Sequence, residues 1–201
     1  MGEVIERHIN LVEDLVKGLR ECKTILDLGT AKGGKLDKVC QRLGARGIGI
    51  EINPHYVKNA RQNERVEVRQ GDARDFDKVF DPKSFDGIMC VDVLEHIAHS
   101  VAEAKELIQR MKKVARKSIT MCIPLERNPR RSDGVFMDHN SIYELSDVVD
   151  LFDGEATIIL DKSFHERLAS KRGEEYRKDL LKNVHHGTWP QWTVCSLRLD
   201  T

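Results

Sequence analysis

Residues 24 to 43 constrain this chain more than any other stretch. The short apolar segment Thr24-Ile25-Leu26-Asp27-Leu28 breaks at Gly29-Thr30-Ala31-Lys32-Gly33-Gly34, and helical spacing resumes through Leu36, Val39, Cys40 and Leu43. This reads as strand, glycine-rich turn, helix. Glycines let a backbone turn tightly and approach a ligand closely, and a strand feeding straight into a helix is half of a parallel crossover unit. Taken alone, the loop leaves open both a ligand-binding turn and a tight turn that binds nothing.

The alternation continues along the chain. Arg46 to Ile52 reads as a strand, Pro54 to Asn63 as a helix opened by Asn53, and Val66 to Gln70 as a strand closed by Gly71-Asp72. Phe85 to Val91 is a buried-looking strand, Val101 to Val114 a helix, and Ser118 to Ile123 a strand stopped by Pro124. Ser141 to Phe152 follows as a helix, Ala156 to Leu160 and Trp192 to Leu199 as the last strands. Ahead of them all, Ile5, Ile9, Val12, Val16 and Leu19 recur at three- or four-residue steps, which predicts an amphipathic helix from Glu3 to Arg20. Seven strands with helical crossovers make an α/β, doubly wound, mostly parallel sheet. One domain over residues 1–201 is expected: an N-terminal helix (1–22), a ligand-binding half (23–124) and an acceptor-side half (125–201) carrying two insertions, Leu125 to Asn140 and the charged Phe164 to Asn183.

Composition narrows the classes. Lys+Arg and Asp+Glu both number 33, so no net charge pulls the chain toward nucleic acid or an anionic membrane. No apolar run approaches the roughly 20 residues of a membrane span, and Gly2-Glu3-Val4-Ile5-Glu6 does not open like a secretory leader. Five scattered cysteines, with no C-x-x-C pair, read as reduced core thiols of a cytoplasmic protein.

In an open parallel sheet, ligands sit beyond the carboxyl ends of the strands, so the residues just after each strand carry the chemistry. Glu51 ends the second strand about twenty residues after the loop, where an acid accepts hydrogen bonds from both ribose hydroxyls of an adenosine ligand. Asp72, after the third strand, suits an adenine amino group, and the fourth strand ends in Val91-Asp92-Val93-Leu94-Glu95-His96-Ile97. Ile25-Leu26-Asp27-Leu28-Gly29, Gly47-Ile48-Gly49-Ile50-Glu51, Gly71-Asp72-Ala73 and Phe85-Asp86-Gly87-Ile88, followed by Val93-Leu94-Glu95-His96-Ile97, together resemble the ordered motifs of class I S-adenosylmethionine-dependent methyltransferases. The likeness covers about residues 24 to 124, and the Val-Leu-Glu-His element is similar to that of the small-molecule-directed type 11/12 branch.

The resemblance implies a Rossmann-like sheet with an antiparallel last strand and S-adenosyl-L-methionine as cofactor. It puts Gly29 under the methionine part, Glu51 at the ribose and Asp72 at adenine, with Asp27, Thr30, Ala31, Gly33, Ile52, Ala73, Asp92 and Val93 as further cofactor-binding positions. Two departures stand out: Ala31 stands where the family often has glycine and Lys32 where a small residue is usual, and Lys112-Lys113-Val114-Ala115-Arg116-Lys117 replaces its Lys-Pro-Gly-Gly turn. A nicotinamide dehydrogenase fingerprint laid over Gly29, Ala31 and Gly34 does not predict Asp72 or the segment from Asp92 to Ile97.

Because the sulfonium methyl is already activated, the protein's task is placement and exclusion of water, with a base only where the acceptor must lose a proton. His96, with Glu95 and His139, forms the candidate catalytic set; His96 packing on the loop or capping the next helix is the structural alternative. The types and spacing of Asp92, Glu95, His96 and His139 also leave a divalent metal site open, without requiring one. Trp189 and Trp192 stack on a flat acceptor or belong to the core, and Arg127, Arg130 and Arg131 bind an anionic acceptor group or form a solvated charge run. A small-molecule acceptor, methylated on oxygen or nitrogen, is the leading expectation. An RNA or protein acceptor and a non-catalytic cofactor-binding module are the alternatives; the Asn-Pro-Pro-Tyr element of base N-methylation is absent.

Overall fold

The structure, a computed structural model, describes residues 2–7, 9–125, 140–141, 143–161 and 191–199. Among the described residues, eight strands form one sheet: β1 (Val4–Arg7), β2 (Thr24–Leu28), β3 (Arg46–Glu51), β4 (Val66–Gln70), β5 (Phe85–Val91), β6 (Ala115–Leu125), β7 (Thr157–Asp161) and β8 (Gln191–Arg198). Their order is β1-β7-β8-β6-β5-β2-β3-β4. All neighbours run parallel except β8, which is antiparallel to both β6 and β7. The connecting helices are α1 (Leu11–Gly18), α2 (Gly34–Leu43), α3 (Pro54–Lys58), α4 (Phe76–Val79), α5 (Leu94–Ile97), α6 (Val101–Val114) and α7 (Leu145–Leu151).

Strand alternation builds two apolar layers, one on each face. Ile25, Met89 and Val91 join Leu15, Leu19, Leu36 and Val39 from the α1 and α2 side. Leu26, Leu28, Ile88 and Cys90 meet Leu107, Ile108, Met111, Val148 and Leu151 from α6 and α7. With both faces covered, β5 is buried along its whole length, as a central parallel strand must be.

The predicted helix from Glu3 to Arg20 begins only at Leu11, and its first residues are instead an edge strand that makes the sheet eight-stranded, not seven. Val4 to Arg7 pair in register with Ile158 to Asp161. The two periods coincide over so short a run, and a strand pairing decided it. Asn10 then caps α1 at the Glu13 N–H, while Arg7 donates from both terminal nitrogens to the buried Asp14 carboxylate, at 2.5 and 3.1 Å.

Other boundaries moved as well. α3 stops at Lys58 because the chain bends back and the Arg61 N–H bonds to the Lys32 carbonyl at 2.9 Å, tying this segment to the glycine loop. The helix expected from Ser141 starts at Leu145, with Tyr143 bridging to Leu125 and the Asp147 carboxylate accepting from the Glu144 N–H. Pro124 does not end β6, which continues to Leu125. Cys122, two residues earlier, turns its carbonyl to the Asp92 N–H, so the missing donor of Pro124 falls on the side where β5 has already finished.

The switch point lies between β2 and β5. From β2 the chain winds outward to β3 and β4, then returns across the sheet to β5 and β6. Their carboxyl ends therefore open a crevice between the loop after β2 and the turn after β5.

Candidate cofactor and methyl-transfer site

The loop after β2 is shaped by three left-handed residues, Gly29 (φ 67°), Ala31 (φ 51°) and Gly33 (φ 74°). Gly29 has no room for a side chain, since a Cβ would stand 2.3 Å from Val93 Cγ2. Val93 thus packs the turn after β5 against the loop after β2. Ala31 holds a conformation that costs an L-residue about 1 kcal/mol, and its N–H is fastened by Glu51 Oε2 at 2.8 Å. Glu51 Oε1 accepts from the Asn53 N–H at 2.8 Å, and the Thr30 N–H bonds to the Ile50 carbonyl. Glu51 is only 8% exposed, and its carboxylate is oriented before any ligand arrives.

Asp27 is deeper, at 3% exposure. Burial pushes its carboxyl up to about 7, against the opposing pull of the Thr30 hydroxyl and the Lys35 ammonium, and the nearby Glu51 pushes further in the same direction. Ile52, beside Glu51, is instead 62% exposed, an apolar side chain left uncovered at the crevice edge.

Asp72 accepts from the Arg74 N–H at 2.8 Å and caps the turn at Ala73–Asp75. The Arg74 guanidinium bridges both of its oxygens, at 2.5 and 3.0 Å, and holds the carboxyl below the usual range. A ligand amino group at Asp72 must therefore share the carboxylate with Arg74. Ala73 is buried in the core, so any ligand contact it makes runs through its backbone. The neighbouring open depression of about 450 Å³ is lined by Asp72, Arg74, Asp75, Asp77, Lys78 and Arg110. Ion pairs fill it, which does not suit a flat apolar ring.

Asp92 is also left-handed, at φ 58°. Its Oδ2 pairs with Lys35 Nζ at 3.2 Å. Glu95 is 1% exposed, so its carboxylate belongs to the interior, next to Tyr143 and Cys90. His96 Nε2 lies 3.8 Å from Glu95 Oε1 and its side chain is partly open to solvent. The Asn140 amide donates to the His96 carbonyl, and the Asn140 and Ser141 N–H groups donate to the Glu95 carbonyl at 2.7 and 3.1 Å.

The structure thus gathers Asp27, Gly29, Thr30, Ala31, Gly33, Glu51, Ile52, Asp92 and Val93 at one edge, with Asp72 at its outer end and His96 over Glu95 beside β5. His139, Arg127, Arg130, Arg131 and Trp189 lie outside the described residues. Among the described residues, no three His, Cys, Asp or Glu side chains come together as a metal cluster. Asp86, a motif residue, stands at the opposite end of β5: it accepts from the Lys23 and Thr24 N–H groups and from Arg116. Its role is to join strand starts. Lys35, Arg74 and Asn140 were not singled out by sequence reasoning, and Asn53 only as a helix start; proximity to Gly34, Asp72, the late insertion and Glu51 was the one hint at a place in the site.

A family described as a methyltransferase domain matches residues 19–171. A ubiquinone biosynthesis O-methyltransferase of Xanthomonas campestris is 34% identical over 83 residues, which is 39% of this chain and about a third (34%) of that protein's length. Among solved structures, a SAM-dependent methyltransferase from Archaeoglobus fulgidus superposes with a TM-score of 0.65 at 16% identity, over 94% of this chain and 91% of that one. One from Geobacter sulfurreducens, bound to S-adenosyl-L-homocysteine, gives 0.61 at 14% identity, over 94% and 90%. At such identities the structural likeness is one of fold.

Proposed function

The chain belongs to the methyltransferase-domain family that it matches over residues 19–171, and on that premise we propose that it binds S-adenosyl-L-methionine across the crevice between Gly29 and Asp92 and transfers a methyl group to an oxygen or nitrogen of a small-molecule acceptor. The observation that carries the reading is Glu51. Its carboxylate is fixed by two backbone N–H groups yet keeps acceptor capacity on both oxygens, which fits a vicinal diol. Ile52 offers an apolar face for adenine, Asp72 an acceptor for its amino group, and the left-handed loop at Gly29 a bare backbone for the methionine part. The solved relative from Geobacter sulfurreducens holds S-adenosyl-L-homocysteine, the product such a transfer leaves.

When bound, the cofactor supplies a methyl already activated by its sulfonium. The chain's residues then have to orient it, exclude water and, for a hydroxyl acceptor, take a proton. We assign that last task to His96, with Glu95 as the positioning residue beneath it. The hydrogen bonds from Asn140 and Ser141 fasten this turn to the stretch that leads into α7. The single domain over residues 1–201, its half from 125 to 201 assigned to the acceptor, belongs to the same reading; residues 126–139 and 162–190, which hold nearly all of the two insertions, lie outside the described residues. So does a cytoplasmic location, supported by five buried free thiols; among the described residues, no helix is long and apolar enough to cross a membrane.

Calorimetric titration with S-adenosylmethionine and S-adenosylhomocysteine tests the first half, and absence of binding in the micromolar range overturns it. A methyl-release assay then compares small hydroxylated and amino acceptors with tRNA and protein extracts. Hydroxylated acceptors come first, since the Xanthomonas relative is an O-methyltransferase. With a responsive acceptor, His96→Ala should lower kcat by roughly 100- to 10,000-fold and leave cofactor affinity unchanged. Equal loss of cofactor binding would make His96 a structural residue.

A further inference from the structure

The two lysines of the glycine loop region have different partners. Lys32 lies over the Tyr56 ring, 5.9 Å from its centroid. Lys35, in the first turn of α2, reaches across the switch point to Asp92 at 3.2 Å. Its charge also acts to lower the Asp27 carboxyl and the Cys122 thiol electrostatically.

Most other carboxylates at this edge are committed. Glu51 is held by two backbone donors, Asp72 by Arg74, and Glu95 is interior. Asp92 differs. Its Oδ1 is buried and has no hydrogen-bond partner among the described residues, and its backbone is held in a left-handed conformation that aspartate tolerates better than most residues. The Lys35–Asp92 pair is half open to water, with side chains 46% and 33% exposed. Such a pair contributes little by itself and exchanges partners at small cost.

We propose that Lys35 is the residue that receives the carboxylate of the cofactor's amino-acid end, with Asp92 taking the ammonium of the same group. This rests on the cofactor reading above. A zwitterion requires one cationic and one anionic side chain a few ångströms apart, and this pair straddles the crevice where the loop after β2 faces the turn after β5. On binding, one internal ion pair is replaced by two charge-assisted pairs, and no charge is left without a partner. Product S-adenosylhomocysteine keeps the amino-acid end, so Lys35 holds substrate and product alike and contributes affinity without favouring the transition state.

The test is binding, independent of turnover. Wild type and Lys35→Met are titrated with S-adenosylhomocysteine, decarboxylated S-adenosylmethionine and 5′-methylthioadenosine, which lacks the amino-acid end. Lys35→Met should lose roughly 10- to 100-fold for S-adenosylhomocysteine and nothing for the other two, with Lys35→Arg restoring part of the loss. Equal losses for all three ligands would make Lys35 a structural residue and overturn the proposal, as would unchanged affinity for S-adenosylhomocysteine. Wild type binding none of the three would overturn the cofactor reading itself, an outcome separate from the other two.

Discussion

Glu51→Gln should lower S-adenosylmethionine affinity about 100-fold, although it changes one atom and removes one charge. Glu51 faces two donors already, the N–H groups of Ala31 and Asn53, one on each oxygen. A glutamine presents one oxygen and one NH2, so whichever way the amide turns, one backbone donor meets another donor. Hydrogen bonds to a charged group contribute about 1.5–3 kcal/mol, and an unsatisfied buried donor costs about 1–3 kcal/mol. Two weakened ribose bonds therefore account for the affinity loss, and the stranded donor lowers stability as well. Glu51→Ala removes both acceptors and should melt at a lower temperature than Glu51→Gln. Calorimetry beside thermal melts separates the two effects. Unchanged affinity in Glu51→Gln would remove the ribose assignment, whatever the melting temperature does.

How much of this was legible beforehand depends on the range of the interactions. The carboxyl-edge residues were readable because parallel crossovers bring every strand end to one edge, so Gly29, Glu51, Asp72 and Asp92 follow from strand order alone. Helix α6 was readable to the residue, since Ser100 caps it by accepting from the Glu103 N–H and its apolar spacing ends at Val114. Strand β1 was not. Its only reason for being extended is pairing with β7, which lies more than 150 residues later in the chain. The partners inside the site were hidden for the same reason. Arg74 on Asp72 is local, but Lys35 on Asp92 spans 57 residues and Asn140 on His96 spans 44. Spacing shows which residue types reach an edge, whereas the partner that orients each one is decided by packing.

Asp27→Asn is expected to make the protein more stable and less able to bind its cofactor. Asp27 is buried and its carboxyl is raised from 3.8 to about 7, with burial the largest cause. Between those two values the native state holds a proton that the unfolded chain has released, so stability falls as the pH rises through this window. Below 3.8 both states are protonated and the penalty is absent. Above about 7 it is complete, on the order of 4 kcal/mol for a shift of this size. Asparagine keeps the shape and removes the charge. The stability advantage of Asp27→Asn over wild type should therefore widen by about 2–3 kcal/mol between pH 5 and pH 7 and then level off. Denaturant melts at pH 5, 7 and 8 measure this directly; an advantage that does not change with pH would show that burial of Asp27 is not what the wild type tolerates. Evolution of such a cost at the end of β2 makes sense if the charge serves the ligand. A bound sulfonium and ammonium favour the ionised carboxylate, so wild type should bind S-adenosylmethionine roughly tenfold more tightly above pH 7 than at pH 6. Asp27→Asn should lose that pH dependence together with the tighter binding.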